Sequence, residues 1–283
     1  MTTSDVVPDH EYGLSRSARY DLCSGCGSVY QQPMPSLAQL ADFYPSGYHS
    51  FAKAGLLARL KHRSRLGRLT ALAGRSSVVV LDYGCGNGAF LREAARHRDW
   101  QLWGFEIADR PSKLVEDGGR VTIVRGGLDD LMKELPPVNV VTMNHVIEHL
   151  PDPHAVLCAL RERMRAGAVL EGQTPATDSL ERRVFGTVWS GYHSPRHTVV
   201  FSRSGLAGLL ARAGFDAPQV TAAFNPAGIA VSLGSCLHGP GGGTIVRAGI
   251  SWLGLVAAAA ALHPIERLSG QPGMVDFTAR VAA

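Results

Sequence analysis

Two hydrophobic periods take turns along the chain. Compact apolar, β-branched runs occupy residues 78–82, 101–106, 121–125, 138–143 and 168–173, and each reads as a strand. Between them apolar positions return at helical spacing, which predicts helices from Ala89, near residues 111–117 and over 153–164. A helix over 204–213 closed by Gly214 follows, then strands at 219–223 and 275–281. Strands alternating with helices predict a parallel sheet covered on both faces.

Two long segments interrupt that alternation, residues 174–203 and 224–273. Insertions at strand ends commonly carry specificity. The second contains Gly239-Pro-Gly-Gly-Gly243, which lacks the Lys and Ser/Thr of a phosphate loop and reads as a mobile loop. Residues 1–52, with Pro33, Pro35, Pro45 and Cys23-Ser-Gly-Cys26, read as an irregular head before a main domain over 53–283. No acid lies between Asp42 and Asp82, whereas Lys53, Arg59, Lys61, Arg63, Arg65, Arg68 and Arg75 do. With Leu56, Leu57, Leu60, Leu66, Leu69 and Leu72 they predict an amphipathic helix over 53–73 with a solvated basic face. Contact of that face with an anionic substrate or membrane surface is the alternative.

Composition narrows the class. The chain has 283 residues, 45% of them apolar, enough for a sizeable core. A formal charge of +4 gives no ground for nucleic acid as a partner. Five scattered cysteines and a polar start without a signal peptide suggest a reduced, cytoplasmic protein. The Ala/Arg/Gly-rich composition suits a bacterium of high GC content. Residues 248–262 are apolar but too short to span a bilayer, so a packed helix is expected, with peripheral membrane contact as the alternative. Monomer and homodimer remain equally open.

The chemistry concentrates at Val78-Val-Val-Leu-Asp-Tyr-Gly-Cys-Gly-Asn-Gly-Ala-Phe90. A strand ends in an acid, a glycine-rich turn follows, and a helix begins, which lets backbone approach a nucleotide-like ligand closely. The order D-x-G-x-G-x-G differs from the dinucleotide fingerprint, and no G-K-[ST] follows. It resembles motif I of class I S-adenosylmethionine (SAM) methyltransferases. More of the chain carries the likeness: Cys23-x-x-Cys26-Gly with Tyr30, Pro33 and Pro35, then Glu148-His-Leu-Pro-Asp-Pro153, Trp189, Pro195-Arg-His197, Phe201-Ser202 and Ala213-Gly-Phe215. These are similar to the ubiquinone-methyltransferase-like group of bacterial small-molecule methyltransferases.

The resemblance implies an α/β, Rossmann-like, seven-stranded and mostly parallel sheet whose last strand is antiparallel, with the head and insertions as lids. It implies SAM as cofactor, held by Asp82, Tyr83, Gly84, Gly86 and Gly88, by Glu106 and Ile107 at the ribose, by Leu128 and Asp129 at the adenine, and by Asn144 and His145 near the sulfonium. His145-Val-Ile-Glu-His149 also fits the H-x-x-E-H zinc-peptidase pattern, but Pro151 and Pro153 deny it the long helix that pattern needs. Ubiquinone O-methyltransferases carry E-x-x-E-H here and use it for magnesium. Carried over, His145, Glu148 and His149 would be divalent-metal ligands, with histidine in the first place favouring zinc, manganese or iron. A hydrogen-bonded polar pair lining the pocket is the alternative for Glu148 and His149.

Catalysis of methyl transfer needs alignment and, for a hydroxyl, a base. His149 is the first expected base, then His193 and His197. Arg196 is expected to face a substrate anion, with Trp189 and Tyr192 stacking on a ring. Cys23 and Cys26 form half a zinc site, which reads otherwise as a turn. The expected activity is methyl transfer from SAM to a small-molecule acceptor, a hydroxyl oxygen of a secondary metabolite, sugar or lipid-linked intermediate. C- or N-methylation and a non-methylating cyclase or pericyclase on the same fold are the alternatives.

Overall fold

A computed structural model describes residues 4–44, 56–73, 78–243 and 252–283. The head begins with β1 (Ser4–Pro8), β2 (Ser17–Leu22) and β3 (Val29–Gln31), paired antiparallel in that order, and α1 (Leu37–Ala41). It is therefore a small sheet rather than an irregular segment. Its alternation is short but clear: Ala18 and Tyr20 are buried while their neighbours Ser17 and Arg19 are exposed.

The helix α2 (Leu56–Ala73) follows. Leu66 and Leu69 bury against the main sheet, as the leucine spacing requires. Its basic face is not wholly solvated. Arg65 turns inward and is only 13% exposed.

The main body then runs β4 (Val79–Tyr83), α3 (Ala89–His97), β5 (Gln101–Ile107), β6 (Ser112–Glu116), β7 (Val121–Gly126), α4 (Leu128–Glu134), β8 (Val138–Asn144), α5 (Pro153–Arg163) and β9 (Met164–Pro175). After it come α6 (Leu180–Phe185), β10 (Val199–Val200), α7 (Arg203–Arg212), β11 (Asp216–Ala222), α8 (Pro226–His238), α9 (Trp252–Ser269) and β12 (Met274–Arg280). The sheet order is β11-β12-β9-β8-β4-β5-β7-β6. β9, β8, β4, β5 and β7 are mutually parallel, and β12 runs antiparallel beside β9.

Two expectations change here. The sheet has eight strands among the described residues rather than seven, because the expected helix near residues 111–117 is the edge strand β6, paired antiparallel with β7. Gly118 and Gly119, at φ 63° and 92°, reverse the chain tightly enough for 112–116 to return alongside β7. Leu114 and Val115 stay exposed, which removes the apolar face a helix would have needed.

The glycine run after α8 is also corrected. It is an ordered turn pressed on the head, not a mobile loop: Gly241 N–H donates to the His10 carbonyl at 3.0 Å. A Cβ on Gly243 would lie 3.0–3.1 Å from Val231 and Glu11, so small residues are needed for that contact. No described helix is long and apolar enough to cross a membrane. Residues 248–251 lie outside the described residues, and 252–262 are helical as expected.

The 174–203 insertion does more than cover the sheet. Its β10 pairs antiparallel with β3, completing the head's sheet in the order β1-β2-β3-β10. A separate core of Val7, Ala18, Tyr20, Val29, Trp189, Tyr192 and Val200 fills the join.

Candidate functional site

Strand β4 delivers the glycine turn to the carboxyl edge of the parallel sheet, the edge where ligands of such sheets bind. Gly84, Gly86 and Gly88 have φ of 79°, 57° and 77°, conformations that favour glycine. A Cβ on Gly88 would also sit 2.5 Å from Ile123 Cδ1. The neighbouring strand β5 brings Glu106 beside the turn, and Gly86 N–H donates to Glu106 Oε2 at 2.6 Å. Burial raises the Glu106 pKa, which the Gly86 N–H opposes. Here is a backbone cradle with an acid beside it, a fit for the amino-acid and ribose ends of SAM.

The other expected cofactor residues separate by role. Tyr83 is buried, its ring 4.9 Å from that of Phe105, so its side chain belongs to the core. Ile107 is exposed at the end of β5, and Asp129 is exposed in the first turn of α4. Leu128 packs on the edge of the main core. The segment after β7 is therefore a helix start rather than a loop, with Asp130 Oδ2 accepting from Gly127 N–H at 2.9 Å. Asp82 faces inward. Its Oδ1 accepts from Arg65 Nη2 at 2.6 Å, and burial raises its pKa against the pull of Arg65.

Arg65 was missed as a site residue. It also donates to Thr142 Oγ1 at 2.7 Å, and its guanidinium lies 3.9 Å over the Phe90 ring. Asp82, Thr142 and Glu171 sit side by side on β4, β8 and β9 by register. Thr142 donates to Glu171, and Asn144 Nδ2 donates to Thr142 Oγ1 at 2.8 Å. One cation thus serves two buried carboxyl groups below the crevice. The only sequence signal was Arg65 lying near the leucine face of α2.

Beyond Asn144 the chain turns sharply. His145 has φ 55°, rare for a non-glycine residue, and its N–H donates to the Gln173 carbonyl at 2.8 Å. The following 3-10 turn, Ile147–His149, buries Glu148 completely. Neither Glu148 oxygen has a hydrogen-bond partner. His145 Nδ1 stands 3.6 Å and His197 Nε2 3.8 Å from Oε1, both beyond hydrogen-bond reach. Burial alone would raise the Glu148 pKa, but the imidazoles of His145, His197 and His149, in their protonated forms at low pH, outweigh it and hold it at about 2.

Burial lowers the pKa of His149, and it lowers that of His197 further, with His149 adding to the effect. Each neutral ring has its Nδ1 on a carbonyl: His149 on Arg196 O at 3.0 Å, His197 on Gly191 O at 2.8 Å. The N–H must be on Nδ1 in both, which leaves both Nε2 atoms as lone pairs. Tyr44 Oη adds a 2.9 Å contact to His149 Nδ1. Ligand atoms of Glu148, His149 and His197 all lie within 4.8 Å of one another. A buried carboxylate with empty lone pairs, flanked by histidines tied at Nδ1, fits a cation. The set differs from the expected one, because His197 takes the place of His145.

The remaining candidates are built into the wall. Arg196 is 0% exposed and forms a forked pair with Asp9, at 2.7 Å and 3.0 Å. Its other donors reach Phe43 O, Ser194 O and His193 Nε2. The guanidinium is fully used inside the protein and has no donor left for a substrate anion. His193 Nδ1 meets Glu11 Oε2 at 2.5 Å while its Nε2 accepts from Arg196, so both nitrogens are engaged. Trp189 and Tyr192 are buried in the head junction, with Tyr192 Oη on Asp5 and Trp189 Nε1 on Glu181, and do not present rings to a ligand. Asp5, Asp9, Glu11 and Tyr44 come from the head and carried no motif.

A family model described as a methyltransferase domain matches residues 54–220. Ubiquinone biosynthesis O-methyltransferase of Nitrosospira multiformis is 32% identical over 109 residues, 36% of this chain and 45% of the relative. The enzyme of the same name from Nitrosomonas europaea is 30% identical over 102 residues, 34% of this chain and 43% of the relative. The matches thus span less than half the length of these curated relatives. Among solved structures, phosphoethanolamine N-methyltransferase 2 of Haemonchus contortus aligns with TM-score 0.53 at 15% identity, covering 88% of this chain and 61% of that one. The 1,6-didemethyltoxoflavin-N1-methyltransferase of Burkholderia thailandensis aligns at 0.50 and 15%, covering 95% and 98%. At such identities the structures establish the fold alone. The family model covers more than half of the chain and its match contains the glycine turn and Glu106, so the chain belongs to the class I SAM-dependent methyltransferase-domain family.

Proposed function

We propose that the protein methylates a hydroxyl oxygen of a small acceptor, of the kind met in secondary metabolites, sugars or lipid-linked intermediates. Bound SAM supplies an electrophilic methyl group on its sulfonium. The glycine turn Gly84–Gly88 and Glu106 hold its amino-acid and ribose ends, Ile107, Leu128 and Asp129 flank the adenine, and Asn144 and His145 border the sulfonium. His149 takes the acceptor proton at Nε2, and its Nδ1–H stays on the Arg196 carbonyl to fix the tautomer. Buried Glu148 stabilises the imidazolium as it forms.

One observation carries this reading: a neutral, buried-side imidazole beside an unpartnered carboxylate, at the exit of the strand that borders the cofactor crevice. The ubiquinone O-methyltransferase relatives support oxygen as the acceptor atom. Glu148, His149 and His197 would hold a divalent ion where one binds, and two imidazoles favour zinc, manganese or iron over magnesium. Such an ion would polarise the acceptor oxygen in place of the His149 base, because ligation and proton uptake use the same Nε2 lone pair.

The test incubates the protein with SAM and a panel of hydroxylated aromatic, sugar and isoprenoid acceptors. Formation of S-adenosylhomocysteine together with an O-methyl product is expected. Products methylated only on nitrogen or carbon would overturn the oxygen assignment.

A further inference from the structure

The Cys23–Cys26 turn lies in the β2–β3 hairpin and takes no part in the reaction proposed above. The sequence reads it as half a zinc site or as a turn that packs without metal. Among the described residues the only grouping of three metal-ligating side chains is Glu148, His149 and His197, so no third ligand stands beside these sulfurs. Both thiols are free and part-exposed.

The turn is built around one of its two sulfurs. Gly27 N–H closes on the Cys23 carbonyl at 2.8 Å, and Cys23 N–H on the Ser28 carbonyl at 2.8 Å. That folding sets Gly25 against the Cys23 sulfur, 3.8 Å from where a Cβ on Gly25 would stand. The backbone N–H groups of Cys26 and Gly25 lower the Cys23 pKa below its ordinary value. Cys26 is the more confined partner. Its sulfur is 3.3 Å from Ser28 Oγ, and a Cβ on Gly205 would stand 3.2 Å from it. Cys85, by contrast, is buried, and burial pushes its thiol up and makes it inert.

We propose that Cys23 and Cys26 form a reversible dithiol–disulfide centre that reacts by exchange with low-molecular-weight disulfides. The Cys23 thiolate attacks one sulfur of the small disulfide, forming a mixed disulfide and releasing one thiolate. Cys26 then loses its proton and attacks the Cys23 sulfur, closing the internal disulfide and releasing the second thiol. One small disulfide is reduced to two thiols as one protein dithiol is oxidised. The turn is joined to the 174–203 insertion: the Cys26 carbonyl accepts from Ser202 and Ser204, and the Gly27 carbonyl from Thr177 Oγ1 at 2.8 Å. Closure therefore acts on the junction that carries His193 and His197.

The experiment equilibrates the full chain with glutathione buffers of increasing oxidised fraction, blocks free thiols by alkylation, and cleaves with trypsin. The tryptic peptide 20–53 contains Cys23 and Cys26 and no other cysteine. It is expected to pass from doubly alkylated to unalkylated and lighter by two hydrogen atoms, and to return with excess thiol. Cys26→Ser should stall with glutathione on Cys23, while Cys23→Ser should take up none. A peptide that stays doubly alkylated across the series overturns the proposal. So does a stoichiometric zinc ion that shields both thiols from alkylation, measured by metal analysis.

Discussion

The two ends of the candidate site are made in opposite ways. The cofactor end uses backbone: positive-φ glycines at the exit of β4 and a single acid one strand away. The acceptor end uses side chains from four separate stretches: Asp9 and Glu11, Tyr44, Glu148 and His149, and His193 to His197. The first is a local solution written in consecutive residues. The second exists only after the head docks on the 174–203 insertion. A backbone cradle recognises what every member of a family binds, and a wall assembled from distant pieces is free to differ among members.

Substitutions can separate the two ends. The largest effect is expected at the acceptor end: His149→Ala should lower kcat by roughly 10²- to 10⁴-fold with little change in SAM binding. Calorimetric titration with SAM beside steady-state rates reads both. Because burial lowers the His149 pKa, the wild-type rate should climb with pH through a value below 6.5 and then level off. A rate that climbs only above neutrality would remove His149 as the base.

Next comes the tie between the head and the body. Asp9→Ala strands a fully buried guanidinium, which costs about 3–5 kcal/mol. Chemical denaturation should record that loss, and Asp9→Ala with Arg196→Met should recover much of it. Equal losses in the single and double variants would mean that the pair contributes no specific coupling.

At the cofactor end, Glu106→Ala removes the charged hydrogen bonds proposed to the ribose diol, worth about 1.5–3 kcal/mol each. A rise in the SAM dissociation constant with an unchanged acceptor KM is expected. If the acceptor KM rises in parallel, the ends are not separable.

The effect farthest from turnover concerns Glu181, which accepts from Trp189 at 3.1 Å and lies beside Glu266 of α9. Burial first, and the Glu266 charge second, push its pKa from 4.5 up to about 8. The folded state therefore holds this proton more tightly than the unfolded chain does. The stability it contributes is complete below about pH 4.5 and is lost as pH rises through 8. Glu181→Gln should flatten the fall in Tm between about pH 4.5 and pH 8; an unaltered slope would place the titration elsewhere.

The same division explains what could be read from the chain. Strands β4, β5, β7, β8 and β9 were visible because buried parallel strands are apolar runs. The glycine turn and Glu106 were visible because motif and spacing are sequential. β6 was misread because its exposed edge carries no face pattern, and only the Gly118–Gly119 reversal marks it. The head strands were missed because β1, β2 and β3 are only 5, 6 and 3 residues long, too short for alternation to stand out in the sequence. Arg65, read as solvated, and Arg196, read as facing a substrate anion, misled for one reason: the acids that receive them, Asp82 and Asp9, lie 17 and 187 positions away.

The pairing of β10 with β3 also fixes an order of events. The ribosome releases the head's first three strands long before Val199 and Val200 exist, and until then β3 offers an open edge and Tyr20 lacks the Tyr192 and His197 carbonyls its hydroxyl reaches. Most of the main sheet can gather in the meantime. The beginning of this chain is thus among the last of its parts to mature, and a nascent polypeptide stopped before residue 199 carries a half-built head that no amount of waiting can finish.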